Sequence, residues 1–458
     1  MALKKSVSLW QAVFYGIGII FGAGIYALIG SAAGIIGNML WLPFLLASIV
    51  AALTAFSYAE LSSYFPKAAA ESVYVKEAFG KEFLSFFIGF VVLITILFSI
   101  ATVAWGFTSY FKLFFLWPSL LVAIGLIVIC SIINFFGIEG SVKLNFLLTI
   151  IGGSGLVIII IFGLPFVGSV NLFEMSATVS NTGFVSAIFS SIALIFFAYI
   201  GFEGIANISE EVTSAKTIVP KAIIISLVIA TIIYVLVAIV SVSAVSPIEL
   251  ANANNSNNLL TGGPLALVAD KVVMPGFGYW LSLAALFATS STILLLLVVS
   301  SRLLYGLANL GFLPKIFSKT HSKTKTPYFS VIVVGSIGIL FLFIGDIEML
   351  GNLTTLGTFL MFFFVNASLI AIRIKENPKK LNFISPVNIG KFPILAIIGA
   401  IFCAFMFLTQ YWQKMQLFQI PLIIFGLMIF LISVPIYLLF KKDKNIKKRI
   451  KEKKWPNK

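Results

Sequence analysis

Residues 16–30 read GIGIIFGAGIYALIG, and this stretch decides how the chain folds. It lies inside the first apolar segment, yet Gly16, Gly18, Gly22, Gly24 and Gly30 punctuate it. Glycine costs about 1 kcal/mol relative to alanine in a helix interior. A break at Gly22-Ala23-Gly24 frees backbone N–H and C=O groups near the middle of the segment. In lipid such groups need partners, so a break must face protein, water or a ligand. The bland alternative is close helix packing through small residues. One glycine-rich segment alone favours packing; a second interrupted segment tips the balance to a break.

Composition says what kind of protein carries this stretch. The chain has 458 residues, of which 60% are hydrophobic and 10% charged, with mean hydropathy +1.10. A soluble protein of this size cannot hide so much apolar surface. Charge-free apolar runs of about 20 residues, the length of one bilayer crossing, recur from end to end. Twelve are expected, near 8–36, 38–65, 83–111, 118–136, 144–168, 183–209, 218–245, 277–306, 328–345, 349–374, 392–410 and 421–440. The fold class is therefore all-α and integral to the lipid bilayer. The net charge of +15 does not point to nucleic acid, because the basic residues sit in short linkers and in the tail 441–458. With the N-terminus inside, external segments hold only Lys112, Lys271 and Lys414 of the 31 Lys and Arg. The positive-inside rule then puts both termini in the cytoplasm, with the chain multi-pass in the cell membrane. The tail reads as an anchor on an anionic membrane surface or as a tail without function.

Other features narrow the chemistry. Cys130 and Cys403 fall within apolar runs and read as small hydrophobes, with no disulfide framework. His321 is the one histidine and lies in a basic loop, which argues against a histidine-based metal or catalytic site. No cleavable signal sequence is expected after Met1. The segment 66–81 mixes lysine and glutamate as a short interfacial helix would, and 265–273 suits a short lid helix.

The second interrupted segment is FFAYIGFEGIANISEE, residues 196–211. Gly201, Glu203 and Gly204 break an otherwise apolar run at mid-depth, and Glu203 is almost alone there as an acid. A carboxylate at the bilayer centre costs at least about 2.5–3.5 kcal/mol, so Glu203 must face protein or a water-filled cavity. It is either a neutral acid bonded to freed backbone or a coupling or substrate-contact residue. The two broken segments lie five spans apart and so cross in opposite directions. Paired glycine-interrupted spans in corresponding halves point to an inverted-repeat transporter with its site at the repeat interface. Half-helix N-termini present N–H groups that suit a carboxylate; freed carbonyls suit an ammonium group. An amino acid zwitterion has one of each.

The chain resembles the amino acid–polyamine–organocation (APC) superfamily over nearly its whole length. The matches are GIGIIFGAGIY (16–26), YAELSSYFPKA (58–68), INFFGIEGSVK (133–143), FFAYIGFEGIANISEEV (196–212) and SSRLLYGLANLGFLPKIF (300–317). The resemblance implies a leucine-transporter-type fold with five-plus-five inverted repeats, residues 1–168 and 169–374, followed by two further helices in 375–440. It implies amino acid uptake or exchange by alternating access. It places the carboxylate-binding turn on Gly22, Ala23 and Gly24, and the amino-group carbonyls on Phe197 and Ile200, with Ile17 or Ile20 beside them. Phe197 matches an aromatic gate, against plain core packing; Glu203 matches a polar position, and Leu296 joins them as a substrate contact. Three departures stand out: Ala69-Ala70 replace a glycine pair, Ile19 replaces an asparagine, and Gly152 replaces a lysine that stands in for sodium in some proton-coupled relatives. The sodium site of sodium-coupled members maps onto Gly18, Phe21, Ala288, Ser291 and Thr292. No organic cofactor is implied; Na+, H+ or uncoupled exchange are the coupling choices.

Neutral or broad-range L-amino acids are the expected substrates, with cationic amino acids or polyamines second. A channel or a non-transporting sensor on the same bundle is the rival from another class, and an enzyme finds no cluster of acid, cysteine and histidine in the spans. Oligomeric state is not legible.

Overall fold

Glycine and capping residues cut the first apolar segment into two helices. Helix α1 (Leu9–Ile20) starts after Ser8, whose N–H donates to the Gln11 side chain at 2.9 Å. It stops at Phe21, and Gly22 is extended (φ −88°, ψ −153°) before α2 (Ala23–Ile36) begins. The computed structural model describes residues 3–175, 183–253, 263–375, 382–416 and 433–438. The expected twelfth span, apart from 433–438, and the basic tail lie outside the described residues.

Span two is a 3-10 turn (Asn38–Leu40) running into α3 (Trp41–Tyr64), and a short helix α4 (Ala70–Phe79) follows. Then come α5 (Glu82–Phe111), α6 (Ser119–Phe135) and α7 (Ile138–Gly163). The sixth apolar segment is broken like the first. Helix α8 (Phe184–Phe196) passes through a 3-10 turn (Phe197–Tyr199) and irregular backbone to the single turn α9 (Gly204–Asn207). Helices α10 (Ala215–Ala244), α11 (Pro247–Asn252), α12 (Pro264–Val272), α13 (Phe277–Asn309), α14 (Tyr328–Phe341), α15 (Ile347–Lys375) and α16 (Ile394–Gln416) complete the described chain. Among the described residues, eight helices or broken helix pairs are long and apolar enough to cross a membrane, and three shorter apolar helices accompany them.

Two elements differ from expectation. The chain is not purely helical: β1 (Asn388–Ile389) pairs antiparallel with β2 (Phe392–Pro393) around Gly390, whose φ is +60°. The segment between spans two and three is a helix, but it is buried rather than interfacial, with Glu71, Ser72 and Tyr74 all fully enclosed. It enters through Ala69 in the left-handed region (φ +55°), where a glycine would sit without strain. And three further acids, Glu60, Glu71 and Glu211, are enclosed as well as Glu203. Their partners lie far away in sequence, which hid them from a local reading.

Helix α13 is the most enclosed of the long spans. Beside it the N-terminal segment is strapped to the end of the sixth segment. Ser6 and Val7 N–H groups donate to the Glu211 carbonyl at 2.9 and 3.0 Å, and Val7 bridges Val212.

Candidate functional site

The two breaks touch. A Cβ built on Gly24 would collide with the Ala198 Cα, and one on Gly201 would collide with the Ile19 side chain. Bare Cα atoms are what let the interrupted backbones approach. The Tyr234 hydroxyl of α10 lies 2.6 Å from the Ile20 carbonyl and 3.3 Å from that of Ala198, so one side chain engages both breaks. Ile19 packs against Gly201 and Gly204 and fills the gap between the segments.

Freed backbone groups divide into used and unused. The Gly22 N–H turns back to the Ile20 carbonyl at 2.7 Å, while Ala23 and Gly24 open α2, where no preceding turn exists to bond their N–H groups. Ile17 and Ile20 carbonyls accept the N–H groups of Phe21 and Gly22, and Phe197 accepts that of Ile200. The Ile200 carbonyl accepts none of the described hydrogen bonds. Of the four expected carbonyls, Ile200 is therefore the one left open. The bare Cα of Gly24 faces the Ala198 backbone, so a side chain there would collide with span six rather than fill ligand space.

A narrow cavity opens beside the breaks, on the side where α9 lies. Ile200, Glu203 and Leu296 line it, together with Thr95 and Ser99 of α5 and Asn207 of α9. Apolar walls come from Val92, Ile96, Val299 and Met361. Gly22, Gly24 and Phe197 do not line it; Phe197 is buried in the core at the 3-10 turn. The Glu203 carboxyl accepts the Gly201 N–H at 2.8 Å and so caps the irregular backbone that precedes α9.

A second polar cluster joins α1, α7 and α13. Thr292 Oγ1 donates towards the Gly18 carbonyl at 2.9 Å, with the Ala288 carbonyl 3.2 Å away. Ser291 Oγ donates to Asn145 Oδ1 at 2.5 Å, as does Thr149 Oγ1 at 3.0 Å, and Asn145 Nδ2 donates to the Phe14 carbonyl at 3.1 Å. The structure thus brings Gly18, Ala288, Ser291 and Thr292 together, whereas the Phe21 carbonyl joins none of these bonds. Asn145 and Thr149 escaped the sequence reading, although their i, i+4 spacing in an apolar span marks one helix face. A Cβ at Gly152 would meet the Ala288 Cβ at 2.7 Å, and its carbonyl accepts the Tyr26 hydroxyl. A side chain at Gly152 would collide with α13.

Two buried ion pairs lie beyond the cavity, towards the N-terminal strap and the end of α15. Arg302 grips Glu211 with two nitrogens at 3.1 Å each and reaches Asn134 Oδ1 at 2.8 Å. Arg373 grips Glu60, which also accepts the Ser385 N–H at 2.8 Å.

The amino acid permease family model matches residues 7–435. The chain belongs to the amino acid permease family. It is 25% identical to the branched-chain amino acid permease BcaP of Bacillus subtilis over 94% of this chain and 93% of that one. It is 26% identical to the methylthioribose transporter of the same organism, over 88% and 87%. It is 27% identical to cationic amino acid transporter 4 of Mus musculus, covering 82% of this chain and 61% of that longer one. The permease is thus an amino acid transporter and a multi-pass membrane protein.

Proposed function

We propose that this permease is a secondary transporter that moves neutral or broad-range L-amino acids by alternating access across the cell membrane, with both termini cytoplasmic. In this reading residues 1–168 and 169–374 form inverted repeats and the zwitterion is held between the two breaks. The observation that carries it is the contact of the breaks themselves: the first N–H groups of α2, with no preceding turn to bond them, stand on one segment and the Ile200 carbonyl, which accepts none of the described hydrogen bonds, on the other. Opposite partial charges of bare backbone suit a zwitterion without a charged side chain. The apolar walls from Val92, Ile96, Leu296, Val299 and Met361 suit an uncharged side chain, and Glu203 already holds the Gly201 N–H. A second reading, cationic substrates, draws on the presence of Glu203 in the cavity wall.

A thermal-shift panel of twenty amino acids on the purified protein separates the two. Ligand at a hundred times its Kd stabilises by about 2.7 kcal/mol. Leucine, isoleucine or valine should raise Tm, whereas lysine and arginine should not. A rise with the cationic amino acids alone would transfer the assignment to the second reading.

For coupling, the oxygen-only donor set of Gly18, Ala288, Ser291 and Thr292, with Asn145 and Thr149 adjoining, fits a sodium ion, because hard cations take oxygen ligands. Those residues would hold the ion between α1 and α13, where it would neutralise the carbonyl end of the break. Proton coupling through Glu203 and uncoupled exchange are the alternatives. Uptake into proteoliposomes should rise with an inward sodium gradient. Equal rates with sodium or choline outside would exclude sodium coupling.

A further inference from the structure

Among the described residues four glutamates are enclosed, and they divide in two. Glu211 and Glu60 each carry an arginine, Arg302 and Arg373. Glu203 and Glu71 carry none. Buried charges are ordinarily paired, since removing an ion from water costs several kcal/mol; a buried acid without a cation lowers that cost by keeping its proton. Glu71 sits on α4, fully enclosed, and its carboxyl meets the Tyr58 hydroxyl of α3 at 3.0 Å and the Asn207 amide of α9 at 3.0 and 3.1 Å. Asn207 completes the junction by accepting the Ala70 N–H at 3.1 Å. The same asparagine lines the cavity beside Glu203.

The charged and titratable groups around Glu71 leave it unneutralised. On α3, Tyr58 touches it and Glu60 is committed to Arg373; on α4, Tyr74 is buried nearby, and Lys76 sits over the Phe312 ring. Facing elements offer Glu203 before α9, Glu210 on the Ala68 N–H, and Arg302, engaged with Glu211 on the α13 side. Tyr305 lies on α13, Glu82 opens α5, and Lys375 of α15 donates to the Ala78 carbonyl. Burial pushes the Glu71 carboxyl above its usual range, against the hydrogen bonds from its own backbone, Asn207 and Tyr58.

We propose that Glu71 is a second proton-binding site of this permease, protonated while the cytoplasmic half of the sixth segment is docked on α4 and ionised when that half opens. The step is the loss of one proton from the carboxyl to cytoplasmic water. It leaves a carboxylate to which the Tyr58 hydroxyl of α3 can still donate once Asn207 has moved away with α9. Asn207, which touches Glu71 and lines the cavity beside Glu203, links this junction to the cavity. This goes beyond the transport reading, and its first test needs no substrate.

Infrared spectra of the purified, full-length protein at neutral pH should contain the C=O stretch of protonated carboxyls, and Glu71→Gln should remove part of that band. A band of unchanged intensity means that Glu71 is ionised and overturns the proposal. If Glu71→Gln does not accumulate, Glu71→Asp should move the band; an unmoved band likewise overturns it. In proteoliposomes, amino acid uptake by the wild type should vary with pH on the cytoplasmic side, and Glu71→Gln should flatten that profile while keeping a measurable rate. A profile of the same shape in the variant refutes the opening-linked release, whichever amino acid is carried.

Discussion

Arg302→Met should lower the unfolding free energy by about 3–5 kcal/mol, the usual loss when one partner of a buried ion pair is removed. Arg302 and Glu211 are almost wholly enclosed, so a lone Glu211 would be left as an uncompensated charge with no water to accept it. Asn134 Oδ1 would lose its donor at the same time. The pair also ties α13 to the turn after the sixth segment, and the Glu211 carbonyl holds the N-terminal strap through Ser6 and Val7. Transport should therefore fall along with stability. Replacing both members, Arg302→Met with Glu211→Met, should recover most of the lost stability, because neither residue then strands a charge. Denaturation in detergent micelles of the two single variants and the double variant measures this. A double variant as unstable as the sum of the singles would mean that the pair is not coupled.

Gly201→Ala should be strongly damaging. The φ of Gly201 is +136°, a conformation that residues with a Cβ rarely adopt. The added methyl would collide with Ile19 Cγ2 and would sit 2.8 Å from the Ile19 Cβ and 3.2 Å from its carbonyl carbon. Strain at such a dihedral costs about 1–3 kcal/mol, and overpacking adds about 1–3 kcal/mol more. Because the clash pushes one break away from the other, uptake should drop by at least about tenfold, the factor that 1.4 kcal/mol represents. Ile19→Ala in the same chain should restore part of the stability by relieving the contact, leaving the dihedral strain. Full uptake by Gly201→Ala would show that the two breaks need not meet at this spacing.

These two variants mark the border between what a linear reading reaches and what it misses. Apolar runs, spaced glycines and basic linkers are local signals, so the membrane spans and the interruptions at Gly22 and Gly201 are legible in the order of residues alone. The short helix α12 is legible for the same reason, since Pro264 and an apolar face sit side by side in the chain. The polar cluster is half legible: Ser291 and Thr292 stand out, but Asn145 is 146 residues from Ser291 and looks like an ordinary helix residue until α7 packs on α13. That the Gly24 Cα rests on Ala198 left no signal in the sequence, because the two residues lie on different segments.

Sequence by itself determined that this chain lives in a bilayer and that its first and sixth segments cannot be continuous rods, because hydropathy and backbone freedom are properties of neighbouring residues. Only the tertiary structure decided which buried glutamates have an arginine and which do not. Glu211 and Arg302 are 91 residues apart, and whether an acid is paired depends on which helix ends share a low-dielectric space. That assignment leaves Glu71 and Glu203 without a cation beside the cavity.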